Sequence, residues 1–347
     1  MTTPKPADLQ RTELTHHFKA CVPFLRHDTL QRVVDVIFAM VTARSVNQSD
    51  LCAHLPGASS IEAKRRRLER GCRDPQLTES VFLAFLLALL PPGKLLLSMD
   101  RTTWERGESP LNLLVLGVVL HGYTVPLVWT ALDHDGNSGT VKRIQLVSRL
   151  LKSFPAARWK GLVADREFIG GEWFRFLRRK GIKRAIRIRK NAVVDELRVD
   201  TWFGDLKVGE VRCLAEKAYV YGEVMQVVAT DFSVWDTCVL YRARWSVECT
   251  FASLKVRGFD LERTGITRPD RLERLFGLVV LAWLSCLRVG VWLQAHVPIK
   301  VKAHGRSAMS LVRYGAERLC HALRWNLPEL PELIRLVSTP FPAPGAA

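Results

Sequence analysis

The sequence predicts an α/β protein in which a mixed sheet and a late helix bring scattered acids to one place. Three observations lead there. KLLLSMD (94–100) and RWKGLVADREF (158–168) are short apolar runs that each empty into an aspartate, Asp100 and Asp165. That is the pattern of buried strands delivering an acid at their C-terminal ends. LNLLVLGVVLHG (111–122) and YTVPLVWTALD (123–133) are two longer strand-like runs with Gly122 between them, an expected antiparallel hairpin. YRARWSVECTFASLKVRG (241–258) has helical spacing and carries Glu248.

The first 90 residues read as helices. LQRVVDVIFAMVTAR (30–44) has apolar residues at helical intervals and breaks at Ser45-Val46-Asn47, and Leu51–Leu55 follows. Ser59-Ser60-Ile61-Glu62 then resembles a cap with an acid in the first turn. The helix it opens carries Lys64, Arg65, Arg66, Arg67 and Arg70, as in a helix-turn-helix-like unit that docks on a polyanion or as a plain exposed basic helix. Beyond the hairpin, Thr140–Phe154 has helical spacing, GEWFRFLRRKG (171–181) is a helix closed by Gly181, and AIRIRK (185–190) is a strand. The stretch 190–240 breaks into short β-like segments, AVVDELRV, LKVGEVRCL, AYVYGEVMQVVAT and WDTCVLY. From Leu261 to about 297 the chain is helical and apolar. A basic segment (KVKAHGRSAMSLVRYGAERL) and a Pro-rich tail, expected to be disordered, follow.

Of 347 residues, 48% are hydrophobic, which excludes a disordered basic tail. A formal net charge of +17 on a chain with a core of this size points to a polyanionic partner, nucleic acid first and a membrane surface second. FRFLRRKGIKRAIRIRK (174–190) concentrates nine of the cations with no acid, a face suited to following a DNA backbone. The eight cysteines show no CxxC or zinc spacing and read as reduced, buried residues. The N-terminus lacks the apolar core of a secretory signal. The apolar runs Val81–Leu90 and Leu275–Leu287 are too short for membrane spans and read as core helices. A soluble, cytoplasmic protein with no membrane partner is expected.

Tyr241, Arg244, Glu248 and Lys255 stand at spacings of 3, 4 and 7. On one continuous helix they would share a face, a single carboxylate flanked by a phenol, a guanidinium and an ammonium. Such a face suits a site holding both a metal ion and a phosphate chain; it is also what a solvated Arg–Glu i,i+4 pair looks like. Asp100, Asp165 and Glu248 together make sense around hard divalent cations, because three clustered carboxylates repel one another without them. Asp133 and Asp135 (LDHDGNSGT) are rival first ligands but lie in a turn-forming sequence.

Two strands ending in aspartates with a later glutamate helix resemble the ribonuclease H-like fold. SMDRTTWERG (98–107), VWTALDHDGNSGT (128–140), ADREFIGGEWF (164–174) and YRARWSVECTFASLKVRGFDLE (241–262) resemble bacterial insertion-sequence DDE transposases of the insertion sequence 4 (IS-4) family. That family's third-acid helix bears Y-x2-R-x3-E-x6-K, matched here by Tyr241, Arg244, Glu248 and Lys255. HGRSAMSLVRYG (304–315) is similar to the family's C-terminal segment. The resemblance implies cut-and-paste transposition with two Mg²⁺ ions (or Mn²⁺) on Asp100, Asp165 and Glu248. Tyr241, Arg244 and Lys255 would contact DNA phosphates. It also implies nicking at transposon ends, strand transfer by a 3′-hydroxyl through a hairpin, and a homodimer on double-stranded terminal inverted repeats and target DNA. A flipped base would stack on a tryptophan of the insertion, for which Trp202 and Trp235 are candidates, each more readily read as a core residue. The expected layout is a helical DNA-binding domain at 1–90, a ribonuclease H-like catalytic domain at 91–190 and 241–297, a β-rich insertion at 191–240, and the basic segment and tail at 298–347. Two other classes fit the acids: a nuclease that never joins strands, and a DNA-binding protein descended from a transposase, which should have lost an acid.

Overall fold

The computed structural model describes residues 6–106, 109–189, 191–194, 197–202, 211–214, 217–221, 225–255 and 257–342. The N-terminal helices are α1 (Pro6–Cys21), α2 (His27–Ala43), α3 (Gln48–His54), α4 (Ile61–Arg73) and α5 (Glu79–Ala88). α2 ends where Arg44 turns left-handed (φ 51°), and α3 and α4 start on the side-chain caps Asn47 and Ser60. α2 is buried over most of its length, Leu30, Val33, Val34 and Ile37 included. Its Asp35 is buried too, in ion pairs with Arg11 of α1 (3.4 Å) and Arg67 of α4. One of the five cations expected on the surface of α4 therefore serves the interior.

The sheet runs β1 (Leu95–Arg106), β2 (Ser109–Leu120), β3 (Tyr123–Leu132), β4 (Trp159–Ala164) and β5 (Arg184–Ile188), with α6 (Thr140–Leu151) and α7 (Gly171–Arg179) between β3 and β5. β6 (Val193–Val194) and β7 (Leu197–Arg198) pair separately, and α8 (Val199–Trp202), β8 (Val211–Leu214), β9 (Lys217–Tyr221) and β10 (Met225–Thr230) follow. The main sheet has the order β3-β2-β1-β4-β5-β10-β9-β8. β1 and β4, and β4 and β5, pair parallel, whereas β2–β3, β5–β10, β10–β9 and β9–β8 are antiparallel. The fold is thus the expected mixed-sheet α/β class, with the β3-β2-β1-β4-β5 order of a ribonuclease H-like core. His121 (φ 48°) and Gly122 (φ 79°) both adopt left-handed φ in the β2–β3 turn, the type I′ geometry that matches strand twist.

Strands β8–β10 of the expected β-rich segment extend the main sheet, β10 pairing along β5 and covering an edge that would otherwise leave a row of unpaired backbone groups. Two expectations change. WDTCVLY is not a strand but most of α9 (Val234–Arg242). Its Ser233 cap accepts from Asp236 N–H (3.1 Å) and donates to the Asp236 carboxylate (2.8 Å), a start signal that the alternating residues masked. Residues 320–342 are not a disordered tail either. α12 (Leu311–Trp325) runs through it, α13 (Leu330–Val337) is buried on one face, and the Phe341 N–H donates to Leu89.

The chain divides into two units, Met1–Pro92 with Trp104–Leu111 and Phe251–Ala347, and Gly93–Thr103 with Asn112–Thr250. This differs from the layout read off the sequence, which closed the catalytic domain with residues 241–297. The long helix α11 (Pro269–His296) instead packs against α2, α4, α5, α12 and α13 in the first unit. It is long and apolar enough to cross a membrane, but 89% of its most apolar window is buried among those helices. A helix apolar all round has to be covered on every side.

Candidate active site

β1 and β4 run side by side, and their last register pair is Met99 with Ala164. The next residue on each chain is an acid, Asp100 and Asp165, so the ladder alone brings two carboxylates to adjacent positions. Glu248 arrives on α10 (Trp245–Leu254). Here the sequence expectation is corrected: 241–255 is not one helix. α9 ends at Arg242 and α10 begins at Trp245, joined by i→i+3 bonds such as Arg244 N–H to Tyr241 and Val247 N–H to Arg244. Tightened turns of this kind replace the ideal 100° steps, so the four signature residues do not form one straight stripe. Tyr241 sits on α9, Arg244 in the joint, Glu248 on α10, and Lys255 just beyond it.

Hydroxyls fix α10 against β3. Thr250 Oγ1 accepts from Thr124 N–H (2.9 Å) and donates to Thr124 O (2.9 Å), and Thr124 Oγ1 bonds Ser246 Oγ (2.7 Å), all buried. Tyr241 joins Leu96, Val163, Ala185, Val228 and Leu240 in the core beneath the strand ends.

Arg244 is the electrostatic centre. One of its guanidinium nitrogens (Nη1) lies 3.5 Å from Asp100 and 3.4 Å from Glu248. Burial would lower the Arg244 pKa, but the Tyr241 phenol, Asp165, Asp100 and Glu248 outweigh it and raise it. Asp165 has its own cation, Arg187 on β5, at 3.8 Å, and its Oδ1 is buried without a hydrogen bond. Burial, with the charges of Glu248 and Asp165 behind it, pushes Asp100 up to about 7, against the pull of the Arg101 N–H and of Arg244. Burial pushes the Tyr241 phenol up to about 12, so it stays neutral. Lys255 is held by Glu262 (3.0 Å) and lies 5.6 Å from the Trp104 ring centre.

The donors suit a hard cation. All are carboxylate oxygens, one is an orphaned buried atom, and one acid is driven toward protonation by burial first and by its acidic neighbours second. As they stand, no group of three His, Cys, Asp or Glu side chains among the described residues is close enough to grip an ion. Arg244 and Arg187 are the cations paired with Asp100 and Asp165.

Asp133 and Asp135 are exposed in the 133–139 turn. Trp235 is 80% exposed, contrary to the expectation of a core residue, and the side chain of Trp202 lies outside the described residues. Sequence reading missed Arg101, Asn112, Glu167 and Arg187 as neighbours of the acids. The available signal was charge close to the two acids: Arg101 directly follows Asp100 inside β1, and Glu167 stands two residues after Asp165 in the turn that follows β4.

Residues 91–285, more than half of the chain and including every one of the acids and signature residues above, match the transposase DDE domain family. The chain belongs to that family. No curated protein matches it. Among solved structures, a piggyBac transposase synaptic complex with hairpin DNA aligns with a TM-score of 0.46 at 13% identity, over 98% of this chain and 84% of that one. A protein of unknown function from Archaeoglobus fulgidus aligns with a TM-score of 0.25 at 16% identity, over 55% of this transposase-family chain and 97% of its own. At these scores neither likeness bears on function. DDE transposases generally use divalent metal ions, a requirement the oxygen donors of this family member can meet.

Proposed function

We propose that this DDE transposase catalyses cut-and-paste DNA transposition of an IS-4-type insertion sequence, cleaving transposon ends and joining their 3′-hydroxyls to target DNA through a hairpin. The observation that carries this reading is the gathering of acids from three segments in the field of one guanidinium, Arg244. Asp100, Asp165 and Glu248 would hold two Mg²⁺ ions, or Mn²⁺ in their place. When bound, such a pair activates the attacking hydroxyl and stabilises the leaving oxygen. Asp100 must give up its proton before it can serve, so affinity should fall as pH drops below 7.

Arg244 then changes partners. Once its carboxylates are otherwise neutralised, the guanidinium is free to take a phosphate bidentately, the geometry for which Arg is suited. Lys255 makes the same exchange, leaving Glu262 for a phosphate. The neutral Tyr241 phenol donates without adding charge. The exposed cations of α7, Arg175, Arg178 and Arg179, offer a surface suited to following a DNA backbone, and those of α4, Arg65, Arg66 and Arg70, offer another on the helical unit. On this reading a homodimer grips two terminal inverted repeats in the cytoplasm, and Trp235 is exposed enough to receive a flipped base.

The test is Glu248→Gln in the full chain, with labelled transposon-end DNA. End binding should survive while cleavage is abolished, and wild type should join pre-cleaved ends bearing a 3′-hydroxyl. Cleavage by the variant removes Glu248 from the site; a wild type that cuts but never joins is a nuclease. End binding should also weaken about 10³-fold between 50 and 200 mM salt if six phosphates are neutralised.

A further inference from the structure

The strand ladder fixes Met99 against Ala164 and then stops. The pairing places the two backbones side by side but does not set the separation of the Asp100 and Asp165 carboxyl groups. A side-chain clamp does. Arg101, next to Asp100, donates from Nε to both oxygens of Glu167, at 2.7 and 2.9 Å, and Glu167 lies two residues beyond Asp165. The other Arg101 nitrogens donate to Asn112 Oδ1 (3.1 Å) and Asn137 Oδ1 (3.3 Å). Asn112 in turn donates to the carbonyls of His134 and Gly136, at 3.0 and 3.1 Å. Glu167 Oε1 also accepts from the N–H and hydroxyl of Ser138, at 3.3 and 3.1 Å. Arg143 braces Ser138 from behind and lies 5.0 Å from the Phe168 ring centre.

Both partners of the central pair are about 15% exposed, 15% for Arg101 and 16% for Glu167. Partly desolvated charges are a poor source of net stability. What a fully bonded polar network supplies is one defined arrangement. This one ties together the middle of β1, the turn that follows β4, the start of β2 and the 133–139 turn. Its own charge is satisfied internally, so neither Arg101 nor Glu167 is available to substrate.

We propose that Arg101 and Glu167 are positioning residues that set the separation of the Asp100 and Asp165 carboxylates, and through it the affinity of the site for divalent cations. The proposal deepens the metal-dependent reading above and rests on it.

The experiment measures Mn²⁺ binding to the full chain without DNA, by the EPR signal of free Mn²⁺. Wild type is compared with Arg101→Ala, Arg101→Lys, Glu167→Gln and the Arg101→Ala/Glu167→Ala double variant, each with its melting temperature. End-DNA affinity and the maximal single-turnover cleavage rate are measured alongside. Each single variant should bind Mn²⁺ about 10–100-fold more weakly, the range for removing a partner that orients a metal ligand. The double variant should be no worse than the worse single, because the pair acts as a unit. Cleavage rate should fall with end-DNA affinity unchanged within about twofold, which a general loss of folding would not produce. Should Arg101→Ala fail to fold, Arg101→Lys and Glu167→Gln decide, since they conserve shape while breaking the bidentate pair. If those two bind Mn²⁺ like wild type, the clamp is refuted and the metal-dependent reading stands. If wild type binds end DNA but no Mn²⁺, that reading falls and the clamp with it.

Discussion

Replacing Asp100 by Asn should stabilise the metal-free protein, and only above a certain pH. Burial and two neighbouring acids lift Asp100 from 3.8 to about 7. In the unfolded chain it reverts to its ordinary value. Between pH 4 and 7 the folded state therefore keeps a proton that the unfolded state has shed. Stability must decline as pH rises through that window and level off above 7. A displacement of about 3 units at about 1.4 kcal/mol each sets a ceiling near 4 kcal/mol. Asp100 is 15% exposed beside Arg244, and relaxation around it should leave about 2–4 kcal/mol. Asn keeps the shape and an acceptor but carries no charge.

The assay is denaturant unfolding of both proteins with EDTA present, at pH 4.5, 6 and 8. The gap in favour of the variant should be smallest at pH 4.5, about 1 kcal/mol or less, and grow to about 2–4 kcal/mol at pH 8. Adding Mn²⁺ at pH 8 should then stabilise wild type more than the variant, because binding to the folded state alone adds RT ln(1 + [L]/Kd). A gap that stays constant with pH, or a variant less stable at pH 8, would show that Asp100 is not held against its charge.

Other perturbations probe the scaffold and its cations. Asp35→Ala strands Arg11 and Arg67 around a buried vacancy and should cost about 3 kcal/mol, the low end for a broken buried ion pair because those arginines are 20% and 33% exposed; denaturant unfolding measures it. Gly315→Ala should cost about 3 kcal/mol or prevent soluble expression, since a Cβ there would run into Cys286 O and Gly290 N where α12 crosses α11; a melt equal to wild type would contradict the close crossing. Glu262→Gln removes the ion pair that holds Lys255, and because partly exposed pairs are worth about 0.2–1 kcal/mol, end-DNA binding should tighten by up to about fivefold at low salt, read by a titration of labelled DNA.

What the sequence disclosed follows from the range of the forces involved. Strand runs such as KLLLSMD and KGLVAD are legible because burial writes itself locally as an unbroken apolar stretch, and an acid at its end stands out. The helix joint at Ala243–Arg244 was hidden for the opposite reason. Tightened i→i+3 bonds leave residue spacing unchanged, so Y-x2-R-x3-E-x6-K reads the same whether the segment is straight or broken. The role of Arg67 was equally invisible, since its partner Asp35 lies on another helix and looks like any polar residue in an amphipathic one. The Arg101–Glu167 pair spans 66 positions, and no local rule couples them.

The difference between motif and site carries a physical consequence. On the proposed reading the motif names the groups that meet the phosphate, but not the groups that balance the charge of the acids in the folded chain. In this fold the second task falls to arginines: Arg244 between Asp100 and Glu248, Arg187 beside Asp165, and Arg101 locked to Glu167. The first two face the acids directly and are free to exchange partners, so they can be shared between resting and working states. The Arg101 guanidinium is instead engaged by Glu167, Asn112 and Asn137 through all three of its nitrogens. Substitutions at Arg244 or Arg187 should therefore change DNA and metal binding together, whereas substitution at Arg101 should change metal binding alone.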